Sequence, residues 1–427
     1  MKVGSWRGGT LLTLLAAIGR PLPAARAVHS IRSRSRETLA WPLADSSVVY
    51  WNNIPSPYFV ERLNAVADRG NLDVEAWFCE RLEPDRSWAI HESTFRFRYR
   101  YLPGGPVSLP GHGRHHLNAP LRLLGRSRPD LLVSLYAEPT FLLGWWLART
   151  AGIRTAFRVL PTYDAWVRRT STKERVKRWA FSRVDGVKVP GPDGAAFATR
   201  YGVPPDRIHV VRQSVDVQHW EHGRTRWLPE RDRIRHELNL SGCVFIYVGR
   251  LWRGKGLDDL LAAYGALVGL GVDTSLLLVG DGKDEARYRQ MVHERGLRGV
   301  VFAGFVQQDE LPRLYAAADV LVFPTLGDPN GLVVEEAMAS HLPVISSDSA
   351  GDIRSRLPEG VAGHVVPTRD AVLLGDRMAG LAKDPQRRAQ MAEAAASIAA
   401  AKSHEAYAED FERFVEGVLS MPRVGRQ

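Results

Sequence analysis

The sequence predicts an α/β fold in two domains of alternating strands and helices. Two observations point there. Short apolar runs bounded by turn residues alternate with helical stretches through both halves of the chain. Several of those runs end on glycine or on Asn/Pro turns, at the strand ends where open α/β sheets gather ligand-binding residues. The 427 residues, 45% apolar and 24% charged, are enough for two or three domains with sizeable cores.

Composition excludes several classes. The two cysteines, Cys79 and Cys243, are far apart and lack metal-ligand spacing, which disfavours a disulfide framework or zinc site and fits a reducing compartment. Net charge is +10, but residues 1–40 account for +6 of it, with seven basic residues against Glu37. The mildly basic remainder argues against nucleic acid as a partner. No run reaches the ~18 apolar residues of a membrane-spanning helix. Residues 1–44 read as a disordered or mis-started extension. Lys2 and Arg7 before Thr10–Ile18, with Ala25-Arg26-Ala27, loosely match a secretory signal as the alternative.

The first domain is expected over 45–216. Ser47–Trp51 is its first strand, and NNIPSPY after it is a tight loop holding Asn53. A helix over Tyr58–Ala67 and a strand at Val74–Phe78 follow. Phe95–Tyr101 alternates aromatic and arginine residues and reads as a half-exposed strand. Without a wider basic stripe it is no nucleic-acid platform. His112, His115 and His116, beside Gly111 and Gly113, read as a solvated loop rather than a metal site. Leu131–Leu135 is a buried strand, and Glu138 beyond it is either a site carboxylate or a helix-start residue beside Pro139. A core helix over Thr140–Ala151, a strand at Thr155–Leu160 and the loop PTYD come next, with Arg158 and Asp164 as polar candidates. Residues 166–183 hold seven basic residues, one acid and several aromatics. Contact with an anionic membrane surface and a plain solvated helix face both remain open there. Short strands at Val187–Pro190 and Ile208–Val211 lead to Arg212–Asp216, which closes the domain.

Residues 217–242 read as a linker and lead-in. The second domain, 243–400, has strands at Val244–Val248, Ser275–Val279, Val300–Phe302, Val320–Phe323 and Pro343–Ser346. Residues 401–427 hold an amphipathic helix with Tyr407, Phe411, Phe414, Val415 and Val418 on one side.

The most informative stretch is Pro324–Pro343, PTLGDPNGLVVEEAMASHLP. A buried strand precedes it, and its glycine-rich loop turns into a helix with Glu335 and Glu336 in the first turn. That order sets backbone N–H groups at a helix start, where an anion is stabilised. Asp328 and Glu336 flank the loop, and carboxylates accept hydrogen bonds from sugar hydroxyls. Upstream, Gly249-Arg250 follows a strand and Lys255 lies between Gly254 and Gly256, a pairing of cations that suits a diphosphate. Gly280-Asp281-Gly282 falls short of GxGxxG, which disfavours a dinucleotide oxidoreductase.

VGRLWRGKG, LLLVGDG, VVFAGFV, LYAAADVLVFPT and GLVVEEAMASHLPV, in this order and spacing, resemble the donor-binding half of the GT-B glycosyltransferases of glycosyltransferase family 4. NNIPSPY and VPG…YGVPPDRIHVV extend the likeness into the first half. The resemblance implies two Rossmann-like domains facing a cleft, with the C-terminal helix crossing back onto the first. It implies retaining transfer of a sugar from a nucleotide diphosphate sugar to an acceptor hydroxyl, in polysaccharide or glycolipid synthesis. The acceptor would be a saccharide or lipid-linked, and no cofactor or metal is implied. The setting would be cytoplasmic, with peripheral contact at the inner membrane face as an option.

Residue by residue, the resemblance gives Arg250 and Lys255, after Gly249, the diphosphate. Asp328 would take the donor sugar's hydroxyls and Glu336 the ribose hydroxyls. Asn330, Gly331 and Leu332 match the turn whose amides approach the donor, and Phe305 and Val306 lie where the base is contacted. Glu335 reads as an exposed neighbour. Asn53, Glu138, Arg158 and Asp164 are the acceptor-side candidates. Two departures stand out: Asp at 328 where the family commonly has Glu, and RVLPTYD where many members carry a His. The alternatives are a sugar-nucleotide epimerase of the same fold and a catalytically silent partner subunit.

Overall fold

The computed structural model describes residues 46–84, 86–109, 113–120, 123, 125, 128–136, 138–159 and 171–425. The N-terminal extension, His112, Asp164 and the start of the basic segment at 166–170 lie outside the described residues.

The first sheet has seven parallel strands. They are β1 (Ser46–Asn52), β2 (Leu72–Phe78), β3 (Arg98–Tyr101), β6 (Leu131–Ser134), β7 (Arg154–Arg158), β8 (Gly186–Val189) and β9 (Ile208–Val210), in the order β3-β2-β1-β6-β7-β8-β9. An antiparallel hairpin, β4 (Gly104–Leu109) with β5 (Gly113–Asn118), stands apart from it. Helices α1 (Pro57–Asp68), α2 (Pro139–Thr150), α3 (Ser171–Phe181) and α4 (Pro192–Arg200) belong to this half. Proline at the first turn of α1, α2 and α4 costs nothing there, since that N–H has no helical partner.

Between the two sheets the chain forms α5 (Val217–Trp227) and α6 (Arg231–Glu237). The second sheet has six parallel strands: β10 (Cys243–Val248), β11 (Thr274–Val279), β12 (Val300–Gly304), β13 (Val320–Phe323), β14 (Val344–Ser347) and β15 (Gly363–Val366). Their order is β12-β11-β10-β13-β14-β15. Around it run α7 (Leu257–Gly269), α8 (Glu285–Glu294), α9 (Leu311–Ala317), α10 (Val333–Ala339), α11 (Ile353–Arg356), α12 (Ala371–Lys383) and α13 (Pro385–Ala400). Strands β10 and β11 are buried throughout, as apolar strands covered on both faces must be. In each sheet the strand order reverses at the first strand, so β1/β6 and β10/β13 are the switch points, where a crevice opens at the carboxyl ends.

The chain then returns to the first half as α14 (His404–Ser420). Its apolar side packs on the first sheet and α1, with Phe411 stacked 5.6 Å from Tyr50 at an interplanar angle of 5°. Ser403 caps the helix by accepting from the Ala406 N–H at 3.2 Å. The two crossings between halves touch: the Val215 N–H donates to the Lys402 carbonyl at 3.3 Å. Two Rossmann-like domains with a returning C-terminal helix are thus present as expected. Among the described residues no helix is long and apolar enough to cross a membrane.

Residues 217–242, read as a linker and lead-in, are packed against the second sheet. Trp220 and Ile234 are fully buried in the second core, and Arg231 and Arg235 grip Asp319, each at 2.7 Å. Only β3 forms within Phe95–Tyr101, because Glu92–Thr94 closes a 3₁₀ turn before it. Its arginines are spent on acids of α1 and β2: Arg96 on Asp68, Arg98 on Asp73, Arg100 on Glu75. Nor do the histidines form a solvated loop, since His115 and His116 lie on β5 and His116 is buried.

Phe411→Ala is expected to destabilise the first domain by about 3–5 kcal/mol, as for other buried phenylalanines. Urea unfolding followed by fluorescence measures it, and a shift below about 1 kcal/mol would show that α14 does not complete that core.

Candidate functional site

The two crevices face each other, and the second-domain side is built on backbone constraints. Gly256 has φ +71°, and a Cβ there would lie 1.9 Å from the Pro324 carbonyl oxygen. Only glycine lets this turn close on the end of β13, and the closure brings Lys255 against the loop that follows. Lys255 Nζ pairs with Asp328 Oδ2. Asp328 Oδ1 accepts from the N–H groups of Asn330 (2.9 Å) and Gly331 (2.7 Å). Burial opposes ionisation of Asp328, but Lys255 and the two amides outweigh it and hold the carboxyl below its ordinary range. In this structure the anion that the amides of Asn330 and Gly331 hold is the side chain of Asp328.

Gly249 donates its N–H to the Val279 carbonyl at 2.9 Å, tying the ends of β10 and β11 together. The guanidinium of Arg250 lies 5.6 Å from the Trp252 ring centroid, and the Arg250 carbonyl accepts from the Tyr247 hydroxyl at 2.9 Å. Leu332 is buried at the N-cap of α10. Phe305, just past β12, is 36% exposed, whereas Val306 packs against the core.

Glu336 is fully buried, which differs from an open ligand carboxylate. Its Oε1 accepts from the Tyr58 hydroxyl of α1 at 2.6 Å and its Oε2 from the Tyr315 hydroxyl of α9 at 3.0 Å. Desolvation raises its pKa to about 7, against the opposing effect of the two phenols. Glu335 is corrected outright, being buried and ion-paired rather than exposed. Arg356 Nε reaches its Oε1 at 2.7 Å, and Lys402 Nζ does so at 3.2 Å. The helical period places neighbours 335 and 336 on different faces, one toward the returning chain and one toward the cleft.

First-domain groups complete the wall. Gln213 Nε2 donates to Asn330 Oδ1 at 2.6 Å, and Gln308 Nε2 to Glu61 at 2.9 Å. Asp193 and Asp352 exchange N–H-to-carboxylate bonds of 2.6 and 3.0 Å. Of the acceptor-side candidates, Asn53 Nδ2 lies 3.4 Å from Glu83 Oε1, and Arg158 Nη1 is 3.3 Å from Asn52 Oδ1. Glu138 Oε2 holds both the Nδ1 and the backbone N–H of His116, at 2.8 and 2.9 Å, while His116 Nε2 meets Glu80 at 2.8 Å. The bond to Glu138 raises the His116 pKa, desolvation lowers it and Glu80 raises it again, to about 9. Glu80, Glu83 and His116 have ligand atoms within 4.8 Å of one another. With its pKa raised to about 9, His116 would have to release a proton to ligate a metal there.

Sequence reasoning missed Tyr58, Tyr315, Gln213, Arg62 and Lys188. Each lies at a strand end or on an apolar helix stripe, where residue type alone does not separate core from cleft.

Glu336→Gln should separate from wild type with pH. The raised carboxyl stabilises the fold fully below its unfolded value near 4.5, and that contribution is lost as pH rises through about 7. The glutamine variant should therefore gain on wild type between pH 4.5 and 7, by about 1–3 kcal/mol at pH 8. A pH-independent difference in unfolding midpoints would refute the assignment.

Two family descriptions match the chain: glycosyl transferases group 1 over residues 230–398 and glycosyl transferase 4-like domain over residues 55–213. An alpha-D-kanosaminyltransferase of Streptomyces kanamyceticus is 30% identical over 202 residues, 47% of this chain and 51% of that protein. A D-inositol 3-phosphate glycosyltransferase of Corynebacterium glutamicum is 32% identical over 200 residues, 45% of this chain and 47% of its own. The chain thus spans about half the length of the curated relatives it matches. Among solved structures, HepE of Anabaena in complex with UDP superposes with TM-score 0.68 at 17% identity, over 86% of this chain and 99% of that one. Sucrose-phosphate synthase of Thermosynechococcus elongatus does so with TM-score 0.67 at 20% identity, over 87% and 98%. Residues 230–398 thus carry the group 1 glycosyl transferase domain, residues 55–213 the glycosyl transferase 4-like domain, and the chain has the GT-B fold.

Proposed function

We propose that the protein transfers a sugar from a nucleotide diphosphate sugar to an acceptor hydroxyl with retention of anomeric configuration and without a metal. The observation that carries this reading is the half-buried Lys255–Asp328 pair on a turn beside Arg250, at the switch point of the second sheet. The donor's diphosphate takes Lys255 and Arg250, which supply the positive charge that a metal gives elsewhere. Asp328, released from Lys255, accepts from the donor sugar's hydroxyls. The ribose takes the place of the Tyr58 hydroxyl on Glu336, one hydroxyl for another, so the cleft opens to admit the nucleotide.

In the chemical step the bond from the anomeric carbon to the diphosphate oxygen breaks. The acceptor oxygen bonds that carbon on the same face, and its proton passes to the departing phosphate. A strong protein base is not needed, which is consistent with the absence of histidine from RVLPTYD. Donors of the kind seen with HepE, whose structures hold UDP and UDP-glucose, suit such a site. Saccharide and lipid-linked acceptors both fall within the proposal. So does peripheral contact with an anionic membrane through α3, where Lys173, Arg175, Arg178 and Trp179 are exposed.

Lys255→Ala should lower transfer by about 100-fold or more, the scale for removing one group that meets charge developing in the transition state. Initial rates with a panel of nucleotide sugars test it, and near-normal turnover would sink the assignment. In the same assay chelation by EDTA should leave the rate unchanged, and proton NMR of the first product should show the donor's anomeric configuration. An inverted anomer or loss of activity with EDTA would overturn those two parts separately.

A further inference from the structure

Three basic side chains converge in the first domain, and among the described residues no acid pairs with any of them. Arg158 and Lys188 are direct partners in the pairing of β7 with β8, so their side chains leave the same face of the sheet side by side. Like charges opposed in this way repel. Arg62 joins them from α1: its guanidinium lies 5.6 Å from the Tyr407 ring centroid, and the Lys188 ammonium lies 5.0 Å from the same centroid. All three are buried, with relative exposures of 6% for Arg62, 8% for Arg158 and 5% for Lys188.

Their hydrogen-bond partners are neutral. Arg62 Nε donates to the Tyr58 carbonyl at 2.7 Å and Nη1 to Gln213 Oε1, and Arg158 donates to Asn52 Oδ1. Among the described residues none of the three makes an ion pair. The acids that influence them from further off are committed elsewhere: Asp410 to Arg212 and Arg413, Glu61 to His404 and Gln308. Burial, reinforced by the other two cations, lowers the Lys188 pKa well below its ordinary value. A protein does not gather three basic side chains out of water for stability, because each is costly to hold charged until an opposite charge arrives.

The position is informative. Arg158 and Lys188 stand at or next to the carboxyl ends of their strands, on the crevice side. Gln213, which holds Arg62, also holds Asn330 of the loop that contains Asp328. We propose that Arg62, Arg158 and Lys188 form a phosphoryl-binding subsite of the first domain, and that the acceptor is a phosphorylated saccharide or polyol. This rests on the transferase reading, which leaves the first domain to the acceptor. Two guanidinium forks match the two charges of a phosphate dianion and its donor geometry, and the lysine adds a further donor. Anchoring that group opposite the donor loop fixes which acceptor hydroxyl meets the anomeric carbon.

The test uses the full chain in low-salt buffer, with inorganic phosphate as the probe and thermal unfolding as the readout. Phosphate should raise the wild-type midpoint by binding the folded state. Lys188→Met should melt above wild type without phosphate, since a buried ionisable group with no anion beside it is replaced by an apolar one. It should also bind phosphate about tenfold or more weakly, the loss expected for one charge-assisted contact. Arg158→Gln should show the same weakening. Absence of a phosphate response in wild type, or a full response in both variants, overturns the proposal, as does a Lys188→Met midpoint below wild type.

Titration with UDP, GDP and ADP separates the acceptor's phosphate from the donor's. Unchanged nucleotide binding in Lys188→Met supports the acceptor assignment, and equal weakening of nucleotide and phosphate overturns it. In Lys255→Ala, lost nucleotide binding with the phosphate response intact supports both readings. Intact nucleotide binding in that variant would instead refute the donor site while leaving the phosphate subsite standing.

Discussion

The carboxylate of Asp328 organises the second-domain wall. One of its oxygens neutralises Lys255 and the other gathers the amides of Asn330 and Gly331, so one side chain fixes both the cationic turn and the loop before α10. The pair is mostly withdrawn from water, where breaking it by removing one partner would strand a buried charge.

The two halves also meet through hydrogen bonds rather than ion pairs. Tyr58 on Glu336, Gln213 on Asn330 and the reciprocal bonds of Asp193 and Asp352 are short, yet each can be exchanged for a hydroxyl or for water. The two chain crossings, joined at Val215 and Lys402, are the natural axis for opening. Lys402 is anchored there by Glu335, itself held by Arg356, so the ion pairs lie at the hinge and the exchangeable bonds at the mouth.

Much of this architecture was legible in the residues. Strands such as Val320–Phe323 and Val244–Val248 are continuous apolar runs ending on Pro or Gly, and parallel sheets require such runs. The hairpin at 104–118 was not legible, because Gly104, Gly105 and Pro106 weaken any strand pattern and no apolar alternation marks it. Within the site, Lys255 and Asp328 announced themselves by glycine-flanked spacing. Glu335 and Glu336 did not divide so readily. Both are acids in the first turn of one helix, and only the packing of Arg356 and Lys402 on one side and Tyr58 and Tyr315 on the other tells them apart.

By itself the sequence determined the two α/β domains, the returning amphipathic helix and the cationic and acidic stretches of the second domain, since those rest on periodicity and local turn chemistry. Tertiary structure alone decided what each polar group meets. It set Asp328 on its own loop amides, closed Glu336 under a tyrosine from the other domain and gathered Arg62, Arg158 and Lys188 from three separate elements. The reason is desolvation: whether a charge is paired, buried or facing a cleft depends on neighbours far away in the chain, and no local pattern encodes them.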